Sequence, residues 1–334
     1  MQIAHEHPPG AGETIEIVAG VHWLRMPLPF ALDHVNLWLL EDGDGWTAVD
    51  TGLATDAVRD AWGKVLEGRR LDRQIVTHYH PDHLGLASWL WERTGASLWM
   101  AQAEYTTAQL LLHQVASYGT PAMLAAFRAH GLSELRLQQL ERQGNSYKLG
   151  VPAIPSTYRP LFAEEAIAIG AKRWRVLPGH GHSPEHASLA CAELDVLISG
   201  DMLLPRISTN ISSLAATPDL DPLGLFLASL ERFKALPEGT LVLPSHGLPF
   251  RGLHRRVDAL KVHHQRRCEV LLEACAVRPR HASELIPALF ERDITDPFQT
   301  LFAMGEAIAH LVHLEQNGSL VRCTEAGVIR FGKA

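Results

Sequence analysis

Between Thr77 and His83 the chain reads Thr-His-Tyr-His-Pro-Asp-His. This run constrains the fold more than any other segment. Three imidazoles and a carboxylate so close together repel one another when protonated and compete for the same donors when neutral. A bound cation resolves that conflict. The preceding Arg73-Gln74-Ile75-Val76-Thr77 reads as a short strand, and Asp82 starts a helical pattern that runs through Trp91. A strand tip that feeds a helix N-terminus is where open α/β sheets place their chemistry. Farther along stand His182 in Gly181-His182-Ser183-Pro184-Glu185-His186, Asp201 in Ser199-Gly200-Asp201, and His246 in Ser245-His246-Gly247. Five imidazoles and two carboxylates suffice to hold two borderline cations with a water between them.

The spacing divides these groups. His78 and His80 alternate by two across an extended segment, so both point the same way. With His182 they make a three-imidazole site that leaves an open position for water. Asp82 and His83 lie on the first turn of the following helix and, with His246, can form a second site. Asp201 is the remaining carboxylate, and one of its oxygens can bridge the two cations. Asp50 ends a buried strand. It reads either as a turn or helix cap, or as a carboxylate that accepts the spare N–H of a ligand imidazole and fixes its tautomer. Asp33 and His34 sit on a loop before a strand, where they could line the mouth of the site.

The H-x-H-x-D-H run, the Gly-His-Ser-Pro-Glu-His segment, the Ser-Gly-Asp and the final Ser-His-Gly resemble, in content and order, the metallo-β-lactamase-fold hydrolases, over about residues 15 to 250. The resemblance is to the glyoxalase II-like and lactonase-like branch. It implies an αββα sandwich and the ligand roles just described. The family pattern His-[Ser/Thr]-Pro-x-His selects His182 as the ligand over His180, and gives His186 a supporting role.

The remaining pattern fits that class. Residues 15–25 and 35–50 read as strands, with a hairpin turn at Gly43-Asp44-Gly45. A helix follows at about 55–67 and a strand at 97–100. Residues 102–145 read as an insert of three short helices, broken at Gly119-Thr120-Pro121 and Gly131-Leu132-Ser133. Residues 148–163 read as loop. Strands follow at about 172–177, 187–192, 195–199 and 240–244, with a long loop over 205–221 and a helix from Asp221-Pro222 to about 235. A long helix spans about 253–276. The catalytic domain is therefore expected at 15–276. Residues 280–334, two helices and a hairpin, read as a small winged-helix-like domain. The tryptophans between Trp38 and Trp99 read as core and helix-packing residues.

The 334-residue chain has a formal net charge of −7, and its tail holds no excess of Lys and Arg over Asp and Glu. Neither property suits a phosphate-binding surface. No apolar run approaches the roughly 20 residues of a membrane span. Met1–Gly12 lacks a signal-peptide core, and the four cysteines form no C-x-x-C pair, so a cytoplasmic protein with unpaired thiols is expected. The sequence contains no Gly-x-Ser-x-Gly elbow. The expected activity is metal-dependent hydrolysis of a small ester, thioester or lactone by a metal-bridging hydroxide, with Asp82 orienting it and carrying a proton. Two divalent ions are expected, zinc first, with iron or manganese as substitutes. The expected partner is a small-molecule substrate, with neither nucleic acid nor membrane, and the tail serves packing or homodimerisation. The alternatives within the superfamily are a single-stranded RNA endonuclease and a mono-iron persulfide dioxygenase.

Overall fold

The computed structural model describes residues 1–334. After a two-residue strand, β1 (Gln2–Ile3), come β2 (Ile15–Val18), β3 (Val21–Pro27), β4 (His34–Asp42), β5 (Gly45–Val49), β6 (Leu71–Ile75), β7 (Ser97–Ala101) and β8 (Arg159–Leu161). Strands β2 to β8 form one sheet in chain order. It is antiparallel up to β5 and parallel from β5 to β8. The second sheet holds β9 (Ala166–Ile169), β10 (Lys172–Gly179), β11 (His186–Cys191), β12 (Val196–Gly200), β13 (Leu241–Pro244) and β14 (Phe250–Arg251). Its order is β1-β14-β13-β12-β11-β10-β9.

Period-two alternation sends successive side chains of one strand to opposite faces. Trp38 and Leu40 of β4 join Trp23, Val49 and Ile75 in a core completed by Ile167, Trp174, Leu189, Ile198 and Leu243 of the second sheet. Leu37 and Leu39 turn the other way, toward Val58, Ala61 and Trp62 of α1 (Asp56–Val65). Helices thus cover a sheet that packs on a second sheet, as the αββα sandwich requires. Of the tryptophans read as core, Trp38 and Trp62 are fully buried, whereas Trp91 is exposed.

Parallel strands need crossovers. Helix α1 joins β5 to β6, and α2 (Pro81–Leu84) with α3 (Ala87–Thr94) joins β6 to β7. The sequence suggests one continuous helix from Asp82 to Trp91, but it is broken at Gly85-Leu86. The Leu86 N–H bonds Gly52 O at 3.1 Å, and a Cβ on Gly85 would stand 2.5–2.6 Å from the carbonyl oxygens of Gly150, Pro81 and Gly52. The crossover therefore presses its backbone against two other loops, and glycine is what fits.

Next come α4 (Gln102–Leu112), α5 (Thr120–Ala129), α6 (Glu134–Glu141), α7 (Ser146–Gly150), α8 (Pro222–Phe233), α9 (Leu253–Val277), α10 (Ala282–Phe290), α11 (Pro297–Gln316) and the hairpin β15 (Leu320–Glu325)–β16 (Val328–Lys333). The segment 148–163, read as loop, contains the end of α7 and the edge strand β8. Strands β1, β9 and β14 also escape the sequence pattern. At two to four residues they are too short to show a period.

Two compact units result. The first gathers Met1–Leu112, Tyr147–Thr209 and Ser229–Val257, with both sheets; the second gathers His113–Ser146, Asn210–Ala228 and Asp258–Ala334. Within the second unit α10 packs on α11, and Arg280 bridges to the buried Phe331 of the hairpin. All four cysteines are free; Cys191, Cys268 and Cys275 are buried, whereas Cys323 is exposed. No helix is long and apolar enough to cross a membrane.

Candidate metal centre

Proline shapes the first ligand loop. Pro81 opens α2, and the residue before a proline is steered away from helical backbone. His80 is accordingly extended, at φ −60° and ψ 149°. His78 and His80 therefore alternate along an extended stretch and face one point. His78 Nε2 lies 2.9 Å from His80 Nδ1 and 3.1 Å from His182 Nε2. The nitrogens on a tetrahedral zinc stand about 3.3 Å apart, given Zn–N bonds of about 2.0–2.1 Å.

The second cluster lies beside the first. Asp82 Oδ2 is 3.4 Å from His246 Nε2 and 3.6 Å from His83 Nε2. Asp201 faces both clusters. Its Oδ1 is 3.4 Å from His246 and 3.5 Å from His83, while its Oδ2 is 3.5 Å from His182. Sequence reasoning gives the bridging role to a single oxygen, but the structure turns one oxygen toward each cluster. All seven expected residues thus converge. The His83 Nε2 and Asp201 Oδ1 atoms are buried with no hydrogen-bond partner, an arrangement that costs free energy in a folded protein. A cation between them satisfies both, so the donor set fits the divalent metals implied by the sequence.

Asp50 does not cap α1, whose N-cap is Thr55. Its Oδ2 accepts from His83 Nδ1 at 2.8 Å, and its Oδ1 accepts the Thr77 N–H at 2.7 Å. The Thr77 hydroxyl donates to Asp50 and accepts from His78 Nδ1 at 3.0 Å. One carboxylate therefore leaves Nε2 of both His83 and His78 as the coordinating atom. Asp50 holds left-handed backbone at φ 67° to do so, a strain of order 1–3 kcal/mol that persists where surroundings over-determine it.

His182 and His180 point to different places. His180 directs Nδ1 at Pro184 O, 2.6 Å away, outside the cluster. His186 Nε2 accepts the Asp201 N–H at 3.2 Å and so steadies a ligand without facing the metal point. That contact explains the glycine in Ser-Gly-Asp. Gly200 has φ +53°, and a Cβ there would fall 2.2 Å from His186 Nε2.

Electrostatics divide the site. Burial, reinforced by His83 and His80, pushes the His78 imidazole well below its ordinary 6.5. Burial together with His182 brings His80 down to about 3. Both rings are neutral at pH 7, the state a ligand needs. At the other end burial again opposes charge, but Asp82, Asp50 and Asp201 outweigh it and hold His83 at about 9. Burial works to raise Asp82, yet His83 and His246 hold it at about 2. One end offers neutral nitrogens; at the other, carboxylate charge keeps a proton on His83 that a bound cation would displace.

Sequence reasoning misses several supports. His246 Nδ1 donates to His34 O at 2.9 Å, and His34 Nε2 accepts the Gly247 N–H at 2.9 Å. Asn36 Nδ2 donates to Pro244 O and Gly247 O, both at 2.9 Å. The sequence places His34 only at the mouth of the site and gives it no such role. Glu104, at the start of α4, is fully buried among backbone donors and also escapes the sequence reading. Its only sequence signal is an acid at an otherwise uncharged strand-to-helix joint.

A family model described as the metallo-beta-lactamase superfamily matches residues 31–246, and one described as a metallo-beta-lactamase-like C-terminal domain matches residues 268–334. The chain belongs to the metallo-beta-lactamase superfamily. It is similar to a beta-lactamase domain protein from Burkholderia ambifaria, with 44% identity and a TM-score of 0.91 over 100% of this chain and 98% of that one. It also resembles a metallo-beta-lactamase family protein from Thermus thermophilus, with 31% identity and a TM-score of 0.82 over 95% of this chain and 100% of that one. Among curated proteins it is 24% identical to the probable metallo-hydrolase YqjP of Bacillus subtilis (strain 168), over 92% of this chain and 96% of that protein.

Proposed function

We propose that the chain is a two-metal hydrolase of a small ester, thioester or lactone. The observation that carries this reading is Asp201, which turns one oxygen toward His182 and the other toward His83 and His246. His78, His80 and His182 would hold one cation, Asp82, His83 and His246 the other, and Asp201 both. Bound zinc ions supply Lewis acidity and bring the pKa of water to about 7. Asp82 is the most solvent-accessible of the carboxylate and imidazole groups in the second cluster: its side chain is 21% exposed, against 10% for Asp201, 4% for His246 and 0% for His83. A carboxylate at that edge is placed to orient the attacking water and to pass its proton to the leaving group. The name of the Bacillus relative, a probable metallo-hydrolase, supports the class. The acidic chain, at −7, supports a small substrate over a polyanion.

Metal analysis of protein purified without chelator, followed by assays on S-acyl glutathione, acyl-CoA, a lactone, nitrocefin and short RNA, tests the reading. About two divalent ions per chain and turnover of a thioester, ester or lactone are expected. One reproducible equivalent of iron points instead to a persulfide dioxygenase. Cleavage of single-stranded RNA alone points to a nuclease.

A further inference from the structure

Glu104 lies outside both donor clusters, yet it joins the loops that carry them. It stands on α4, directly after β7, and its side chain has no exposed surface. Its Oε2 accepts the Tyr79 N–H at 2.9 Å. Its Oε1 accepts the Ser183 hydroxyl at 2.7 Å and the Glu185 N–H at 2.6 Å. Tyr79 is the residue between His78 and His80, and Ser183 directly follows His182. The first loop leaves β6 of one sheet, and the second connects β10 to β11 of the other. The Tyr79 peptide is held at its other end too, where Tyr147 Oη donates to Tyr79 O at 2.7 Å. A buried carboxyl group that takes three donors is fixed in place, because each lost donor leaves a buried polar atom unsatisfied.

We propose that Glu104 is a positioning residue that sets the spacing between the His78/His80 loop and the His182 loop, and thereby the affinity of the three-imidazole site for its cation. The inference rests on the two-metal reading of the site. It concerns one half of it, because His83 and His246 of the other half have their own supports in Asp50 and His34.

The two halves make the idea testable without turnover. Wild type, Glu104→Gln and Ser183→Ala are stripped of metal and titrated with Co(II), both by visible absorption and against a competing chelator. Thermal melting of the metal-free proteins runs alongside. Glu104→Gln keeps the size of the side chain but turns an amide NH2 at a donor. It is expected to weaken one of the two cations by about 10- to 100-fold, the usual cost of losing a partner that orients ligands, and to change that ion's absorption. The other ion keeps its affinity. Ser183→Ala moves the same ion in the same direction by less. Equal weakening of both ions means general loosening and overturns the proposal, as does unchanged affinity for both. If Glu104→Gln does not fold, Ser183→Ala decides by the same criterion. A wild type that binds no cation would sink the hydrolase reading instead, before any variant is compared.

Discussion

Both units bury histidine, in opposite surroundings. In the first, His78, His83 and His182 turn ring nitrogens toward one another and toward Asp82 and Asp201. In the second, His264 and His310 are equally buried, with Nδ1 of His264 3.2 Å from Nε2 of His310. His310 Nδ1 donates to Glu306 O at 2.8 Å, so His310 accepts and His264 donates in that pair. The nearby Glu306 carboxylate is already committed to Arg267 and Asn210. Burial brings His264 to about 2 and His310 to about 3, each helped by neighbouring positive charge. The His264/His310 pair is neutral and hydrogen-bonded, and although Nε2 of His264 is also buried without a partner, no free carboxylate faces it. Buried imidazoles become a cation site when carboxylates with no other partner share their focus.

The sharpest break between the clusters is expected at His182. His182→Ala should strip the cation from the three-imidazole side and cost more activity than the about 100-fold typical of an outer partner. His180→Ala, two residues away and bonded to Pro184 O, should keep its metal. Elemental analysis of the two variants side by side checks this, and a reversed result would exchange their roles. Asp82→Asn removes both a donor and the exposed proton carrier. Its kcat should fall by about 10²–10⁴-fold, the range of general acid–base catalysis, with the fold intact by circular dichroism.

Asp50→Asn probes the support of the first cluster. Asparagine tolerates the left-handed backbone, so the fold should stand, but it no longer offers two acceptor oxygens to His83 and Thr77. Metal affinity should drop by about 10- to 100-fold, measured by chelator competition. The smallest effect on the metal centre belongs to the His264/His310 pair of the second unit. The unfolded chain binds protons at His264 and His310 near the ordinary 6.5, whereas the folded pair does so only at about 2 and about 3. The stability they contribute is therefore present above pH 6.5 and is lost as the pH falls below it, by up to about 1.4 kcal/mol per pH unit for each ring. Replacing both with leucine should flatten the acid limb of the melting curve and leave metal content unchanged. A variant that loses metal would make the His264/His310 pair a cation site after all.

Much of the centre was legible because its chemistry is local. A His-x-His-x-Asp-His run between a strand and a helix places four donors by backbone geometry alone, and Pro81 keeps His80 extended. The later His182, Asp201 and His246 each follow a strand end, where α/β sheets expose their loops. The αββα sandwich is implied by the family resemblance, and the alternating apolar strands and helical runs fit it. Only the tertiary structure decided what holds these donors. His34 O steadies His246 across 212 positions, Asn36 reaches Gly247 across 211, and Glu104 reaches Ser183 across 79. A hydrogen bond between distant segments leaves no period and no spacing in the chain. It exists because two sheets have already closed over one core and brought their loop ends together. The same holds for the break at Gly85-Leu86, where the Leu86 N–H leaves the helix for the distant Gly52 O.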